Sequence, residues 1–269
     1  MCVVGFQWLP GSQEPLLVLG NRDEYYERPT TPLAWWEGGR ILAGRDLQAG
    51  GTWLGVTRTG RVAVLTNFRD PTLTRPEGPS RGQLPVRFLE GDASASAFLE
   101  GLCPEAASYS PFNLLLYDGA DLLGYESRGD RVVHFEPGIH AVSNGAFDEP
   151  WPKVERLKEQ LAQAGKDLGA LLEVLQDDRP FPDACLPHTG VSLDWERVLS
   201  PLFIRTPTYG TRAATVLRLG HSKGVVLERT FTAEGLGSER RFEFALTPES
   251  QGNTGNTDKK AKMNTAEKR

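Results

Sequence analysis

The chain has 269 residues, of which 39% are hydrophobic and 24% charged. That is enough to bury a core without disulfide staples, and ordinary enough to exclude fibrous or largely disordered states. Thirty basic residues against 35 acidic ones give a net charge of -5, which speaks against a nucleic-acid binder relying on charge. No apolar run reaches the roughly 18 to 20 residues of a membrane span. The opening segment, Met1 to Pro15, lacks the basic and continuous apolar regions of a secretory signal. Three widely spaced cysteines, Cys2, Cys103 and Cys185, do not make a disulfide framework, so a reducing, cytoplasmic compartment is expected.

In chain order, residues 2–8 and 16–20 are apolar runs split by Pro10-Gly11-Ser12, which predicts an opening β-hairpin. Residues 52–57 and 61–66 flank Arg58-Thr59-Gly60 and predict a second. Helices are predicted over 80–90, with Ser80 as cap, and over 93–102. Strands over 112–117, 122–127, 132–135 and 140–142 form a third group with short turns. Trp151, Val154, Leu157 and Leu161 follow helical spacing after Pro150 and Pro152. Leu168, Leu171, Leu172 and Leu175 predict a further helix capped by Asp167. Strands over 213–219, 224–230 and 240–245 close the body. Short links between consecutive strands imply antiparallel pairing, because a parallel crossover needs a dozen or more residues. The fold class is therefore α+β, with helices packed outside two sheets. Residues 1–247 show no internal boundary. Residues 248–269 contain no aromatic residue and no Leu, Ile or Val, and read as a flexible polar tail with five basic and three acidic residues.

Cys2 is the first residue with chemical potential. Removal of Met1 would leave it as the N-terminus, with a nucleophilic thiol and an α-amine of pKa about 7.7 to 8 on one residue. Its plain alternative is a small hydrophobe opening a strand. Asn21-Arg22-Asp23-Glu24 follows the second apolar run and emerges near Cys2 if the first two strands pair. Strand register decides whether Arg22 or Asp23 points at the thiol, and the sequence leaves that open. Arg22 would favour a thiolate, and Asp23 would hold an α-ammonium; a solvated turn with a local ion pair is the alternative. Asn67 after Leu65-Thr66, and Asn144 in Ser143-Asn144-Gly145, stand at strand ends where amides stabilise an oxyanion or simply form turns. Arg212 in Tyr209-Gly210-Thr211-Arg212 precedes an apolar strand and offers a fixed guanidinium. Trp35-Trp36, Trp53 and Trp151 suit a cleft or the core, with the core the commoner setting. Cys185 with His188 lacks a third orienting group, and the four histidines lack metal-ligand spacing.

Met1-Cys2, Asn21-Arg22-Asp23-Glu24, Gly50-Gly51-Thr52-Trp53-Leu54-Gly55, Leu65-Thr66-Asn67, Ser80-Arg81-Gly82, Ser143-Asn144-Gly145 and Tyr209-Gly210-Thr211-Arg212 resemble, in this order, the motifs of the NRDE family. That family is also called the transport-and-Golgi-organisation protein 2 family, and the likeness runs from residue 1 to about residue 246. The resemblance implies an N-terminal nucleophile (Ntn) hydrolase fold, a four-layer αββα sandwich. Penicillin V acylases and bile-salt hydrolases look similar in motif order. By that likeness Cys2 is the nucleophile, Arg22 and Asp23 its electrostatic and orienting partners, Asn67 and Asn144 oxyanion candidates and Arg212 a support.

Two functions are expected. The first is a cysteine amidohydrolase acting on a non-peptide amide or acyl bond of a small molecule, with no metal or organic cofactor. The second is a binding or trafficking protein holding a hydrophobic ligand such as haem or an acyl lipid in the same cleft. No Cys-x-x-Cys-His haem motif is present, and His134, His140, His188 and His221 are scattered. Neither nucleic acid nor a membrane span enters either reading, and fold alone does not choose between them.

Overall fold

The computed structural model describes residues 2–73 and 77–247; Met1 and the predicted tail lie outside the described residues. Strand alternation sets the layers. In β1 (Cys2–Trp8) and β2 (Leu16–Tyr25), Cys2, Val4, Phe6, Trp8, Leu16 and Val18 face one way, and Val3, Leu17 and Leu19 the other. Both faces are apolar, so both must be covered. β1 pairs on one side with β10 (Gly138–Val142) and on the other with β2. β2 pairs with β11 (Tyr209–Leu219), and beyond it lie β12 (Lys223–Thr232) and β13 (Gly235–Ala245), giving six antiparallel strands.

The second sheet is a seven-stranded antiparallel meander. It runs through β3 (Thr30–Trp35), β4 (Ile41–Asp46), β5 (Leu54–Thr57), β6 (Val62–Asn67), β7 (Phe112–Tyr117), β8 (Leu122–Glu126) and β9 (Arg131–His134). Leu42, Leu54, Val56, Val62, Val64 and Leu115 from this sheet meet the even-numbered row of β1 and β2 in the core between the sheets. On its outer face, α1 (Gln83–Glu90) and α2 (Ala95–Leu102) bury Leu84, Phe88, Leu89, Leu99 and Leu102 against Ala63, Leu114 and Leu116. On the outer face of the first sheet, α3 (Pro152–Ala164) and α4 (Leu168–Val174) bury Leu157, Leu161, Leu171 and Leu172 against Val3, Leu19 and Val216. The order helix, sheet, sheet, helix is an αββα sandwich, an α+β architecture. No helix among the described residues is long and apolar enough to cross a membrane.

Several elements differ from the sequence expectation for physical reasons. β3 and β4 are absent from it. Pro32 interrupts the β3 run, and β3 accommodates it as the edge strand, with a register shift between Thr31 and Ala34. Asn21-Arg22-Asp23-Glu24 is strand rather than turn, because β11 pairs with β2 as far as Tyr25. The residues 140–142, grouped by sequence with the third set of strands, belong to β10 in the other sheet beside β1. Ser80 does not cap α1, which starts at Gln83 with Gly82 in the cap position and no side-chain cap bond. Asp167 does cap α4, its side chain accepting from the Ala170 N–H at 2.8 Å. A short helix, α5 (Leu193–Val198), is also absent from the sequence expectation; Ser192 caps it through the Trp195 N–H.

Candidate functional site

The β1–β2 register places Cys2 opposite Arg22. Both lie in the even-numbered row that faces the other sheet, so the guanidinium and the thiol share one face. Asn21 and Asp23 lie in the odd row. Asn21 Nδ2 donates to the carbonyls of Leu175 and Leu202 at 2.7 and 2.8 Å, tying β2 to the helical layer. Asp23 is fully buried, and its Oδ1 accepts from the Thr211 hydroxyl at 2.8 Å. The question of which acidic or basic neighbour flanks Cys2 in the ladder is thus settled by pairing: Arg22 stands beside it.

A cavity of about 600 Å³ opens between the sheets at this end and is bordered by Cys2, Arg22, Asp23, Asn67 and Arg212. Asp46, from the end of β4, organises its basic side chains. One carboxylate oxygen accepts from Arg22 Nη2 at 3.0 Å and Arg28 Nε at 2.6 Å, and the other from the Gln48 and Ala49 N–H groups at 3.0 Å. Burial works to raise the Asp46 carboxyl, but these bonds, Arg28's first, hold it below the usual carboxylate range. Nη1 of Arg22 is buried without a hydrogen-bond partner among the described residues. Burial pushes the Cys2 thiol up to about 11, with Arg22 pulling in the opposite direction.

Asn67 and Asn144 play different parts. Asn67, at the end of β6, borders the cavity. Asn144 is fully buried one step behind it, and its Nδ2 donates to the Asn67 carbonyl at 2.7 Å. Its own carbonyl accepts from the Arg69 N–H at 2.7 Å, and the neighbouring Ser143 hydroxyl donates to the Cys2 carbonyl at 3.0 Å. The Ser143-Asn144 turn therefore clamps both β1, at Cys2, and β6, at Asn67. Arg212 is a backbone clamp. Its guanidinium donates to the carbonyls of Tyr25, Tyr26, Arg28 and Phe231.

The glycine motif and the Ser80-Arg81-Gly82 motif meet as one wall. Thr52 N–H donates to the Gly82 carbonyl at 3.0 Å, and Gln83 Nε2 to the Ala49 carbonyl at 2.7 Å. A Cβ on Gly51 would lie 2.3 Å from the Gly82 carbonyl carbon and oxygen, both backbone atoms. Gly51→Ala is expected to cost about 3 kcal/mol or more, since neither backbone can retreat without breaking these bonds. Urea unfolding checks it, with a parallel loss of Cys2 accessibility control in thiol labelling.

The family model described as Transport and Golgi organisation 2 matches residues 1–233. The chain belongs to that family. It is 31% identical over 247 residues to the bovine (Bos taurus) Transport and Golgi organization protein 2 homolog, covering 81% of this chain and 88% of that one. It is 30% identical over 280 residues to the Homo sapiens homolog, covering 91% and 99%. Among solved structures it is similar to a Caenorhabditis elegans N-acylethanolamine-hydrolyzing acid amidase ortholog, with TM-score 0.49, 11% identity and coverage of 80% and 92%. It is also similar to a conjugated bile acid hydrolase from Clostridium perfringens, with TM-score 0.47, 9% identity and coverage of 92% and 98%.

In this member of the Transport and Golgi organisation 2 family, a buried charge cluster that sequence reading does not find lies behind the motif residues. Lys153, on the first turn of α3, is buried and donates to the Leu199 and Pro201 carbonyls at 2.9 and 3.5 Å. Burial draws its ammonium down to about 8, with the Asp23 carboxylate opposing; burial likewise raises Asp23, with Lys153 opposing. Arg69 and Glu196 form an ion pair of 2.7 Å with side chains only 5% and 4% exposed. Lys153 sits four residues before Leu157 and so on the buried stripe of its helix, a signal available in the sequence. Glu196 lies on α5, which the sequence does not announce.

Proposed function

We propose that the chain is a cysteine amidohydrolase whose nucleophile is Cys2 after loss of Met1. The observation that carries this reading is the register: Cys2 opens β1 at a cavity and is paired with Arg22, whose partly unpartnered guanidinium Asp46 fixes in place. With Met1 attached, the nitrogen of Cys2 is an amide and burial keeps the thiol protonated. With Met1 removed, that nitrogen is an amine able to take the thiol proton.

The Cys2 sulfur then attacks the substrate carbonyl carbon, and the carbonyl π pair moves onto oxygen. Asn67 serves as the side-chain donor to this oxyanion, with Asn144 as the positioning residue that fixes its backbone. Collapse breaks the carbon–nitrogen bond, the Cys2 ammonium returns its proton to the leaving amine, and a thioester remains. Water, deprotonated by the same amine, attacks the thioester and releases the acid and the thiol. Asp23, buried beside this end of the ladder, orients the α-ammonium, and Arg212 keeps β2, β3 and β12 in register around the cavity.

The carrier reading asks for an apolar cleft, whereas Arg22, Arg28, Arg45, Asp46 and Glu228 line this one. Intact mass and peptide mapping after brief iodoacetamide treatment test the proposal. The expected result is a chain lacking Met1, in which Cys2 is alkylated at least tenfold faster than Cys103 or Cys185, with a pH profile inflecting near 8. Cys2→Ala is expected to abolish turnover across a panel of acyl amides. Retained Met1, or a Cys2 no faster than the other two cysteines, would overturn the reading.

A further inference from the structure

The charges around the cavity do not cancel in pairs. Arg22 and Arg28 share Asp46, at 3.0 and 2.6 Å. Glu24 stands 3.9 Å from each of the same two guanidinium groups. Arg212 spends its donors on backbone carbonyls. Arg45 donates to the Gly50 carbonyl and lies over the Trp36 ring at 4.6 Å.

Arg81 is different. Its guanidinium borders the cavity, donates from Nη1 to the Pro111 carbonyl at 3.0 Å, and has no carboxylate within ion-pair distance among the described residues. A guanidinium presents five N–H donors in a rigid fork, so most of that fork is left for something else. Burial lowers its pKa, while Cys2 and Glu24 act on it in the opposite sense, which places it within electrostatic reach of the thiol. Its backbone is fixed, because the next residue, Gly82, is locked against Gly51 and Thr52. A held cation with free donors, in a cavity whose carboxylates are already engaged, is a receptor for an anionic oxygen group.

We infer that the substrate carries a carboxylate, and that Arg81 is the specificity-determining residue that receives it while the amide lies at Cys2. The inference rests on the amidohydrolase reading for the second half of that statement only. A fork-to-carboxylate contact would orient the scissile carbonyl and turn away neutral amides, since an unmatched guanidinium in a partly dry wall is left without partners.

The test compares iodoacetate with iodoacetamide, which differ in a carboxylate against a neutral amide. The rate ratio of the two reagents at Cys2 is divided by the same ratio at the exposed Cys185, which removes their intrinsic difference. The expected normalised ratio is tenfold or more in favour of iodoacetate at Cys2. It should fall to about one in Arg81→Gln, whatever the change in the absolute rates, since any shift in thiolate fraction acts on both reagents alike, and be largely retained in Arg81→Lys. A ratio near one in the unsubstituted protein, or one unmoved by Arg81→Gln in a variant that unfolds at its normal temperature, overturns the inference. If Arg81→Gln does not fold, the ratio in the unsubstituted protein and in Arg81→Lys still decides.

Succinate titrated against tryptophan fluorescence reads the site without using the thiol, since Trp53 borders the same cavity. Saturable quenching that is lost in Arg81→Gln sustains the anion site even where Cys2 is unreactive, and then only the catalytic reading falls. No saturable change in the unsubstituted protein removes the anion site itself.

Discussion

Glu196→Gln is expected to lower the unfolding free energy by about 3 to 5 kcal/mol, the usual cost of removing one partner from a buried ion pair. The size reflects the groups left behind. Arg69 would keep a guanidinium in a nearly solvent-free setting, with Nε already lacking a hydrogen-bond partner among the described residues and the Trp151 ring 5.1 Å away. Glu196 also accepts from the Thr189 N–H and hydroxyl at 3.0 and 2.5 Å, so its neutralisation weakens three contacts at once. The double variant Arg69→Met with Glu196→Leu should recover most of the loss, because it removes the need for compensation instead of half of the pair. Chemical denaturation of the unsubstituted protein, Arg69→Met, Glu196→Leu and the double variant measures the coupling, with Glu196→Gln run beside them. A single variant within 1 kcal/mol of the unsubstituted protein would show that water reaches Arg69.

The consequence is not confined to stability. Arg69 gives its backbone N–H to the Asn144 carbonyl, and Asn144 gives its amide to the Asn67 carbonyl. The pair buried at α5 is therefore the far end of a chain of contacts that terminates at the cavity wall. On the proposed hydrolase mechanism, loosening it is expected to reach turnover through Asn67, as a lower kcat with little change in KM.

This chain of contacts marks the limit of what the sequence makes legible. The two-sheet layout is readable because alternation and short links are local signals, and the motif order points to the residues around Cys2. Pairing is not readable. Whether Arg22 or Asp23 flanks Cys2 depends on a one-residue register choice, and the β1–β2 ladder makes it by setting Cys2 opposite Arg22, while β11 keeps β2 extended through Tyr25. Asp46 stands outside every motif because its role depends on β4, an element that pairs with the proline-interrupted β3. Lys153 and Glu196 are buried charges, which a binary apolar pattern assigns to the surface. The place of Lys153 one turn before Leu157 marks its stripe, but the partners that satisfy such groups emerge only when distant segments are assembled, here Leu199 and Pro201 for one and Arg69 for the other.

Glu228→Gln is expected to flatten part of the pH dependence of stability. Glu228, on β12, is buried between the sheets at the cavity; its Oε1 accepts from the Leu33 N–H of β3 at 2.6 Å, and its Oε2 from the Thr215 hydroxyl at 3.1 Å. Burial pushes its carboxyl up to about 7, against these hydrogen bonds and the charges of Arg240 and Arg22. Between its ordinary value near 4.5 and 7, the folded protein therefore keeps a proton that the unfolded chain has released. Stability from this group is present below pH 4.5 and is lost as pH rises to 7, by about 3 kcal/mol in all. Glutamine keeps the acceptor for Leu33 and cannot ionise. The variant should match the unsubstituted protein near pH 4.5 and exceed it at pH 8, by roughly 6 to 12 °C in Tm for a chain of this size. Thermal unfolding of both proteins across that range gives the difference curve, in which all other titrating groups cancel. Parallel curves would mean that Glu228 is ionised in the folded protein throughout. The same proton also sets the charge of the cavity. Below 7 Glu228, which lines the same cavity as Arg81, is neutral and adds no negative charge there, so succinate affinity should fall as Glu228 ionises. In Glu228→Gln that part of the fall should be absent.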